Sequence, residues 1–424
     1  MSKPTSPPNH DIAPGNVHRC QVCGSERLEL VIDLGHQPLC DSLPSREQLD
    51  RPETHYPLRQ VWCRDCALSQ IDYVVPGDVV FHPDYPYRSG ITKELAVYQD
   101  AFVQDAVADL GLKRDDLVVD IGSNDGTLLA SFQQRGMRVL GVEPTNIARI
   151  AQERGVDTVQ AFFDVETARK IVETHGQARL VTATNVFAHV AMLGEFIRGL
   201  ERLLAPGGAF ILENHYLLDI MQGGQFDTVY HEHLRTYSLK SIVKLFEFYD
   251  FTCVDARMVS RYGGNIRVCV VKGRNRLVKP SIAAVLKAEE EFGLSRPECY
   301  AGFRARAEKV KLDLLGLALD CKEKGLSFVG NSCPGRCSTL LNYVGIDRAL
   351  MPYICEQPTS LKLGLHLPGK HIPVVDNERL IREQPDYVVL LAWHYGEPIA
   401  AQLRERGLKS KLVMPLPEVR ILPS

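Results

Sequence analysis

No apolar run in the 424 residues is long enough to cross a bilayer, so no membrane-spanning helix is expected, and residues 1–8 read as a polar tail rather than a signal peptide. An excess of one charge is also missing. Against 49 Lys and Arg stand 52 Asp and Glu, a net charge of −3, which argues against a nucleic-acid-binding surface. The central glycine turn carries neither Gly-x-Gly-x-x-Gly nor Gly-Lys-Ser/Thr, and His231 and His233 are two apart rather than in a His-Glu-x-x-His helix. These absences remove the dinucleotide fingerprint, the P-loop and the helical zinc-protease site. The composition is that of an ordinary globular chain, 45% hydrophobic and 24% charged, and the length calls for two or three domains. The expected compartment is the cytoplasm, and for it twelve cysteines are many.

Val118-Val119-Asp120-Ile121-Gly122-Ser123-Asn124-Asp125-Gly126-Thr127-Leu128-Leu129 passes from β-branched residues through a polar glycine turn into a helical pattern. A strand, a tight turn and a helix N-terminus in that order form the ligand edge of an open α/β sheet. Gly122 and Gly126 allow close backbone approach. The acidic Asp120 and Asp125 favour a ligand with positive charge or an amine over a pyrophosphate. About 20 residues on, a strand at 139–142 ends in Glu143-Pro144, where a carboxylate can take a ribose diol. Asp-x-Gly-x-Asn-Asp-Gly-Thr followed by Gly-Val-Glu-Pro resembles motif I and the acidic loop of class I S-adenosylmethionine-dependent methyltransferases. A third strand at 156–163 is expected to bring Phe163 beside an adenine ring. A fourth at 180–190 places Asn185 and His189 at the carboxyl edge of the sheet. The expected cofactor contacts are therefore Asp120, Gly122, Asn124, Asp125, Gly126, Glu143, Pro144, Phe163 and Asn185.

Upstream, Cys20-Gln-Val-Cys23 and Cys63-Arg-Asp-Cys66 form two C-x-x-C pairs about 40 residues apart. Four thiolates in a tetrahedron suit a structural Zn²⁺ and leave no open position for chemistry. The loop-rich stretch between them buries little core, so the metal would supply folding free energy. A redox pair or disulfides are the other reading. Cys40 is expected to be a buried or spare thiol. A proline-interrupted loop at 81–90 carries Tyr85 and Tyr87, readable as a latch between domains or as part of a pocket, and a helical pattern at 91–112 follows.

The second distinctive stretch is Glu213-Asn214-His215-Tyr216, then Gln225-Phe226-Asp227-Thr228, then Tyr230-His231-Glu232-His233. Four ionisable or hydroxylic side chains in a row have no packing explanation. Metal binding or a solvated loop would account for them, but Tyr, Glu and His together suit general acid–base work. Removing a proton beside a ketone needs a base near neutral pKa and a donor for the enolate. Arg267, after Gly263-Gly264, could steady charge or belong to an ordinary hairpin.

In the last third, 280–326 is helix-rich and charged, a connecting arm with a solvated face. A second α/β unit follows, with a strand at 327–330, a turn through Cys333-Pro334-Gly335-Arg336-Cys337 and a helix at 338–344. A glycine-bearing turn at a helix N-terminus is an anion site suited to a nucleotide diphosphate, and buried thiols or a metal would explain Cys333, Cys337 and Cys355.

The paired C-x-x-C motifs, Asp84-Tyr85-x-Tyr87, the 120–127 turn, Glu213-Asn214-x-Tyr216, the 225–234 segment and Gly263-Gly264-Asn265-x-Arg267 together resemble the sugar C-methyltransferase family, over nearly the whole chain. The resemblance implies an α/β fold: a class I (Rossmann-like) methyltransferase core flanked by a small zinc-binding N-terminal domain and a C-terminal Rossmann-like domain. The implied boundaries are a disordered tail at 1–15, the zinc domain at 16–90, the core at 91–278, a helical connector at 279–325 and the C-terminal domain at 326–424. The implied activity is C-3 methylation of a nucleotide-linked 4-keto-deoxysugar, with S-adenosylmethionine as donor and a structural zinc held by Cys20, Cys23, Cys63 and Cys66. His233 is the implied base, with Glu232, Tyr230 and His189 beside it, and Tyr85, Tyr87, His231 and Arg267 are the implied substrate contacts. The chain departs from the family at Cys333 to Cys337, where a small residue and Lys-Gly are usual, so the nucleotide handle is open. N- or O-methylation of a non-sugar metabolite, or ligand binding without chemistry, are the alternatives. A monomer or weak homo-oligomer is expected.

Overall fold

The computed structural model of the chain describes residues 7–80 and 93–423. Tyr85 and Tyr87 lie outside the described residues. No described helix is long and apolar enough to cross a membrane.

The N-terminal lobe contains β1 (Gly15–Asn16), β2 (Leu28–Gln37), β3 (Tyr56–Cys63), β4 (Ser69–Ile71), β5 (Tyr73–Val74) and the short α1 (Gly77–Val80). Strands β2, β3 and β4 form an antiparallel meander, and β1 pairs with β5. Each C-x-x-C closes a tight knuckle: Gly24 N–H donates to Cys20 O and Ala67 N–H to Cys63 O, both at 2.9 Å. The four sulfurs converge, with Cys20–Cys66 and Cys23–Cys63 each 3.5 Å apart and all four ligand atoms within 4.8 Å of one another. That donor set fits a structural Zn²⁺, which would hold together a lobe whose own core is small, built on residues such as Val22, Val31, Ile32, Leu34, Leu58, Trp62, Leu68 and Ile71. The expected disordered tail does not reach residue 15. His10 is buried, its Nδ1 accepting from Tyr249 Oη (2.7 Å) and its Nε2–H donating to Val22 O (2.8 Å), while Asp11 accepts from Glu195 N–H. Paired buried polar groups offset the entropy of ordering this segment.

The core runs through α2 (Lys93–Leu110), β6 (Leu117–Ile121), α3 (Thr127–Gln134), β7 (Arg138–Val142), α4 (Ala148–Glu153), β8 (Thr158–Val159), α5 (Val165–His175), β9 (Ala178–Thr184), α6 (Leu193–Leu203), β10 (Leu204–His215), α7 (Leu217–Gln222), β11 (Arg235–Thr236), α8 (Leu239–Phe246), β12 (Phe251–Val259) and β13 (Asn265–Lys272). Its seven-stranded sheet has the order β12-β13-β10-β9-β6-β7-β8, and only β13 runs against its neighbours. All five residues of β6 are buried, as a β-branched strand covered on both faces should be. Chain order reverses between β6 and β9, which opens a crevice at their carboxyl ends. The expected strand at 156–163 shrinks to Thr158–Val159.

Strand β11 leaves the core and pairs antiparallel with β4, so the segment directly after His233 completes the zinc lobe's sheet. The connector is α9 (Pro280–Phe292) and α10 (Pro297–Glu323). Its charged run is not wholly solvated: Glu289 is buried, accepts from Tyr216 Oη at 2.8 Å and takes the N–H groups of Leu239 and Lys240 at the start of α8. On α10, Tyr300 stacks on Trp62 of the zinc lobe, ring centroids 4.3 Å apart.

The C-terminal lobe comprises β14 (Phe328–Asn331), α11 (Gly335–Val344), β15 (Ile354–Glu356), β16 (Val374–Asp376), α12 (Glu378–Glu383), β17 (Tyr387–Leu390), α13 (Gly396–Glu405), β18 (Lys411–Met414) and β19 (Arg420–Ile421). The order β16-β15-β14-β17-β18-β19 is parallel except for β19. Cys333 and Cys337 are buried thiols, sulfurs 3.8 Å apart, and they form no metal-competent cluster with Cys355 among the described residues.

Removing the zinc should open the N-terminal lobe and unstack Trp62 from Tyr300. In a Trp393→Phe background the remaining tryptophan emission is expected to shift to the red on chelation, with methyl transfer falling in parallel. Unchanged emission after complete zinc loss would contradict the metal's folding role.

Candidate active site

At the end of β6 the backbone turns where only glycine fits. Gly122 has φ +68°, and a Cβ there would lie 2.3 Å from Val186 Cγ2. Gly126, φ +76°, would press its Cβ to 3.1 Å from Ala151. Asn124 also takes a left-handed conformation (φ +50°) and donates its N–H to Glu143 Oε2 at 3.0 Å. The other Glu143 oxygen accepts from Thr145 N–H (3.0 Å) and Oγ1–H (2.7 Å), so the carboxylate at the end of β7 is rigidly aimed. Asp120 accepts from Thr182 Oγ1 at 2.6 Å, and burial pushes its carboxyl up to about 7. Ser123 Oγ, packed over Gly141, is buried with no partner among the described residues. Asn185 (φ +55°) donates its N–H to Glu213 O at 2.6 Å, and its side-chain oxygen accepts from Asn265. A bare glycine turn rimmed by carboxylates on adjacent strand ends fits S-adenosylmethionine, with its amine and ribose diol.

Two of the expected cofactor contacts are engaged within the protein itself. Asp125 turns back on its own helix: its Oδ1 accepts from Thr127 Oγ1 at 2.7 Å, and its Oδ2 pairs with Arg154 at 3.1 Å. Phe163 packs edge-on against Phe196, centroids 5.1 Å apart, and fills the space above Gly199. Its neighbour Phe162 is 59% exposed. Pro144 follows Glu143 at the same rim, half-buried.

Opposite this rim stands a cluster of imidazoles. The His233 ring is 3.9 Å from that of Tyr230 and 5.0 Å from both His189 and His215, centroid to centroid. His233 Nδ1–H donates to Thr228 O at 2.7 Å, which places the proton on Nδ1 and leaves Nε2 a free lone pair. Burial, with further lowering from nearby His and Arg charges, holds His189, His215 and His233 well below the ordinary imidazole range, so all three are neutral. Burial likewise raises the Tyr230 phenol, reinforced by Cys40 and Glu232. Glu232 is buried beside Cys40.

The expected substrate contacts fare differently. His231 faces away from this cluster, its Nε2–H donating to Pro57 O at 3.2 Å and its ring edge-on to Tyr56 of the zinc lobe. Arg267 is tied into the sheet: its Nε donates to buried Glu213 (3.0 Å), its Nη2 to Tyr98 Oη (3.0 Å), and its guanidinium lies over Phe102. It holds α2 to the sheet edge rather than facing a substrate.

The C-terminal lobe closes the cluster. Arg336 does not serve an anion at its turn but pairs fork-to-fork with Asp227, at 2.9 and 2.8 Å, both residues buried. Trp393 Nε1–H also donates to Asp227 (2.8 Å), and Arg336 Nη1 reaches His394 Nδ1 at 3.4 Å. Tyr262 bridges the remaining gap, 6.0 Å from the His215 ring and 6.4 Å from that of His394. Sequence reasoning passed over Asp227, Tyr262, Arg336 and His394 as site residues. It noted His215 only within its stretch, although His215 shares a strand face with Glu213 at the sheet's carboxyl edge.

A seven-stranded sheet with one reversed strand, a glycine turn after its first core strand and an acidic end to the next define a class I S-adenosylmethionine-dependent methyltransferase. Family comparisons match a methyltransferase domain at residues 95–256, a zinc binding domain at 20–81 and a C-methyltransferase C-terminal domain at 260–417. C-methyltransferase NovU of Streptomyces niveus is 34% identical over 411 residues, spanning 96% of this chain and 97% of the relative. The chain belongs to that C-methyltransferase family. A ubiquinone biosynthesis O-methyltransferase of Acinetobacter baylyi is 30% identical over 96 residues, only 22% of this chain and 40% of its own. Magnesium protoporphyrin IX methyltransferase from Synechocystis PCC 6803, solved with S-adenosylmethionine, overlays 42% of this chain and 79% of its own at 18% identity. Its TM-score of 0.32 is too low to speak to function.

The neutral imidazoles set a pH dependence. Unfolded histidines titrate near 6.5, whereas His394 is held down to about 2 and the other three well below their ordinary value. Below pH 6.5 the unfolded chain therefore binds more protons than the native one, so this stability is full above that pH and is lost as pH falls. Each such histidine should add up to about 1.4 kcal/mol per pH unit to the loss. Asp120 acts with opposite sign, destabilising increasingly as pH rises toward 7. The urea midpoint is expected to drop steeply between pH 6.5 and 5, and His394→Asn should flatten that slope.

Proposed function

We propose that the enzyme methylates C-3 of a nucleotide-linked 4-keto-deoxysugar, with His233 as the base. The observation that carries this reading is the Nδ1–H of His233 on Thr228 O, which leaves Nε2 unprotonated in a buried cluster with Tyr230, His189 and His215. A C-methyltransferase must make a carbon nucleophile, and a ketone acidifies the neighbouring C–H enough for an imidazole to take the proton. The electron pair of that bond then forms an enolate. The Tyr230 hydroxyl and the imidazoles of His189 and His215 surround His233 and can donate to the enolate oxygen in a water-poor setting. The imidazolium formed on His233 is steadied by Thr228 O and by the Tyr230 ring 3.9 Å away. Bound at the Gly122–Gly126 turn, S-adenosylmethionine supplies an electrophilic methyl group. Holding the nucleophilic carbon against it, and keeping water out, is the task of the side chains named above.

Substrate identity follows from incubation with methyl-labelled S-adenosylmethionine and a panel of 4-keto-deoxysugar nucleotides, with fragmentation of the product. A label located on carbon by the fragmentation pattern supports the reading, while a product labelled on oxygen or nitrogen would overturn it. His233→Ala is expected to lower kcat by about a thousandfold. Solvent deuterium wash-in at the substrate α-carbon should be lost, and S-adenosylmethionine affinity by calorimetry should be nearly unchanged. Full activity in that variant rules His233 out as the base.

A further inference from the structure

Cys40 belongs to the zinc lobe, on the loop between β2 and β3, yet its thiol is buried against the core. Its Sγ lies 3.4 Å from Glu232 Oε1, in the segment that carries His233. The next residue reaches the third lobe: Asp41 accepts from Lys362 Nζ at 2.7 Å, and Lys362 also donates to Cys333 O at the foot of α11. Gly335 in that turn has no room for a side chain, since a Cβ there would meet Asp41 Oδ2 at 2.9 Å and Cys40 Sγ at 3.3 Å. Two consecutive residues of the zinc lobe are thus wedged between the core and the C-terminal lobe.

The chemistry of the wedge is one-directional. Asp41 and Glu232 place carboxylate oxygens within 4.8 Å of each other and of the Cys40 sulfur. Lys362 neutralises the first. The Cys40 thiol is driven well above its ordinary pKa by burial, by Glu232 and by Asp41, so it stays protonated and can only donate to the carboxylate it touches. A thiol donor on a buried carboxylate oxygen adds to what fixes that carboxylate's direction.

We propose that Cys40 is a positioning residue: its S–H donates to Glu232 and aims that carboxylate at the substrate, so that the zinc lobe sets the geometry of the catalytic segment. This rests on the proposed C-methylation, with Glu232 taken as part of the catalytic segment beside His233. Two measurements keep the inference and that reading apart.

The first needs no substrate. In the zinc-loaded enzyme, the infrared S–H stretch that disappears in Cys40→Ser should move to higher wavenumber in Glu232→Gln, and an unmoved band overturns the hydrogen bond. The second is kinetic, with a thymidine-diphosphate-linked 4-keto-deoxysugar as probe. Cys40→Ala should lower kcat/KM for the sugar about tenfold and leave KM for S-adenosylmethionine unchanged, and Cys40→Ser should recover to within about threefold. In a Glu232→Gln background Cys40→Ala should add no further loss. One zinc per chain is expected throughout. Wild-type kinetics in Cys40→Ala alongside a crippled Glu232→Gln overturns the positioning role alone. An unaffected Glu232→Gln overturns the underlying reading of Glu232. Two zinc ions per chain, falling to one in Cys40→Ala, would make Cys40 a metal ligand instead and also end the proposal.

Discussion

Asp227 is the residue on which the assembled site depends. Its carboxylate, with no exposed surface, binds the Arg336 guanidinium through both oxygens and takes the Trp393 N–H as well. Removing one partner of such a pair strands a buried charge, at a cost of about 3–5 kcal/mol. The next residue, Thr228, supplies the carbonyl that fixes the His233 tautomer. Two adjacent residues therefore perform two tasks: one docks the C-terminal lobe, the other sets which nitrogen of His233 is free. Any shift of the lobe is felt one residue from the carbonyl to which His233 donates.

The same pair governs the electrostatics. His215, His233 and His394 share the field of the Arg336 guanidinium, which disfavours the imidazolium form of each. Burial, with the Arg336 charge adding to it, leaves His233 neutral, and Thr228 O and the Tyr230 face lie against its ring. Neutral histidines in a dry pocket are costly in acid, and the enzyme's stability and its chemistry share that dependence on pH.

Three lobes meet at this point, and none makes the site alone. The zinc lobe is tied to the core by the β4–β11 pairing and by the stack of Trp62 on Tyr300. Through Cys40 and Asp41 it touches both Glu232 and Lys362. A structural metal can in this way be required for catalysis while remote from the transferred group, because it fixes a loop whose tip lines the pocket.

Features governed by short-range rules were legible in the residues themselves. Paired thiolates two positions apart make knuckles, a β-branched run ending in glycines makes a strand and turn, and the acidic end of the next strand falls where the sheet's periodicity puts it. The zinc cysteines, the Gly122–Gly126 turn and Glu143 needed nothing more. In the irregular segment at 229–234, by contrast, no periodicity tells which side chain faces which lobe, and His231 and His233 part company because Pro57 O accepts one and Thr228 O the other. Phe163 turns inward because the strand before it is only two residues long and the chain beyond it follows the α5–α6 packing, which leaves Phe162 exposed. Arg336, in a turn that reads as an anion site, is drawn off by an aspartate 109 residues away. Local sequence thus determined the metal knuckles, the cofactor turn and the kind of chemistry the Tyr-His-Glu-His run could support. Tertiary structure alone decided which histidine joins the buried cluster and which turns to the zinc lobe, because a side chain's direction in irregular backbone is chosen by distant partners that satisfy its buried polar atoms.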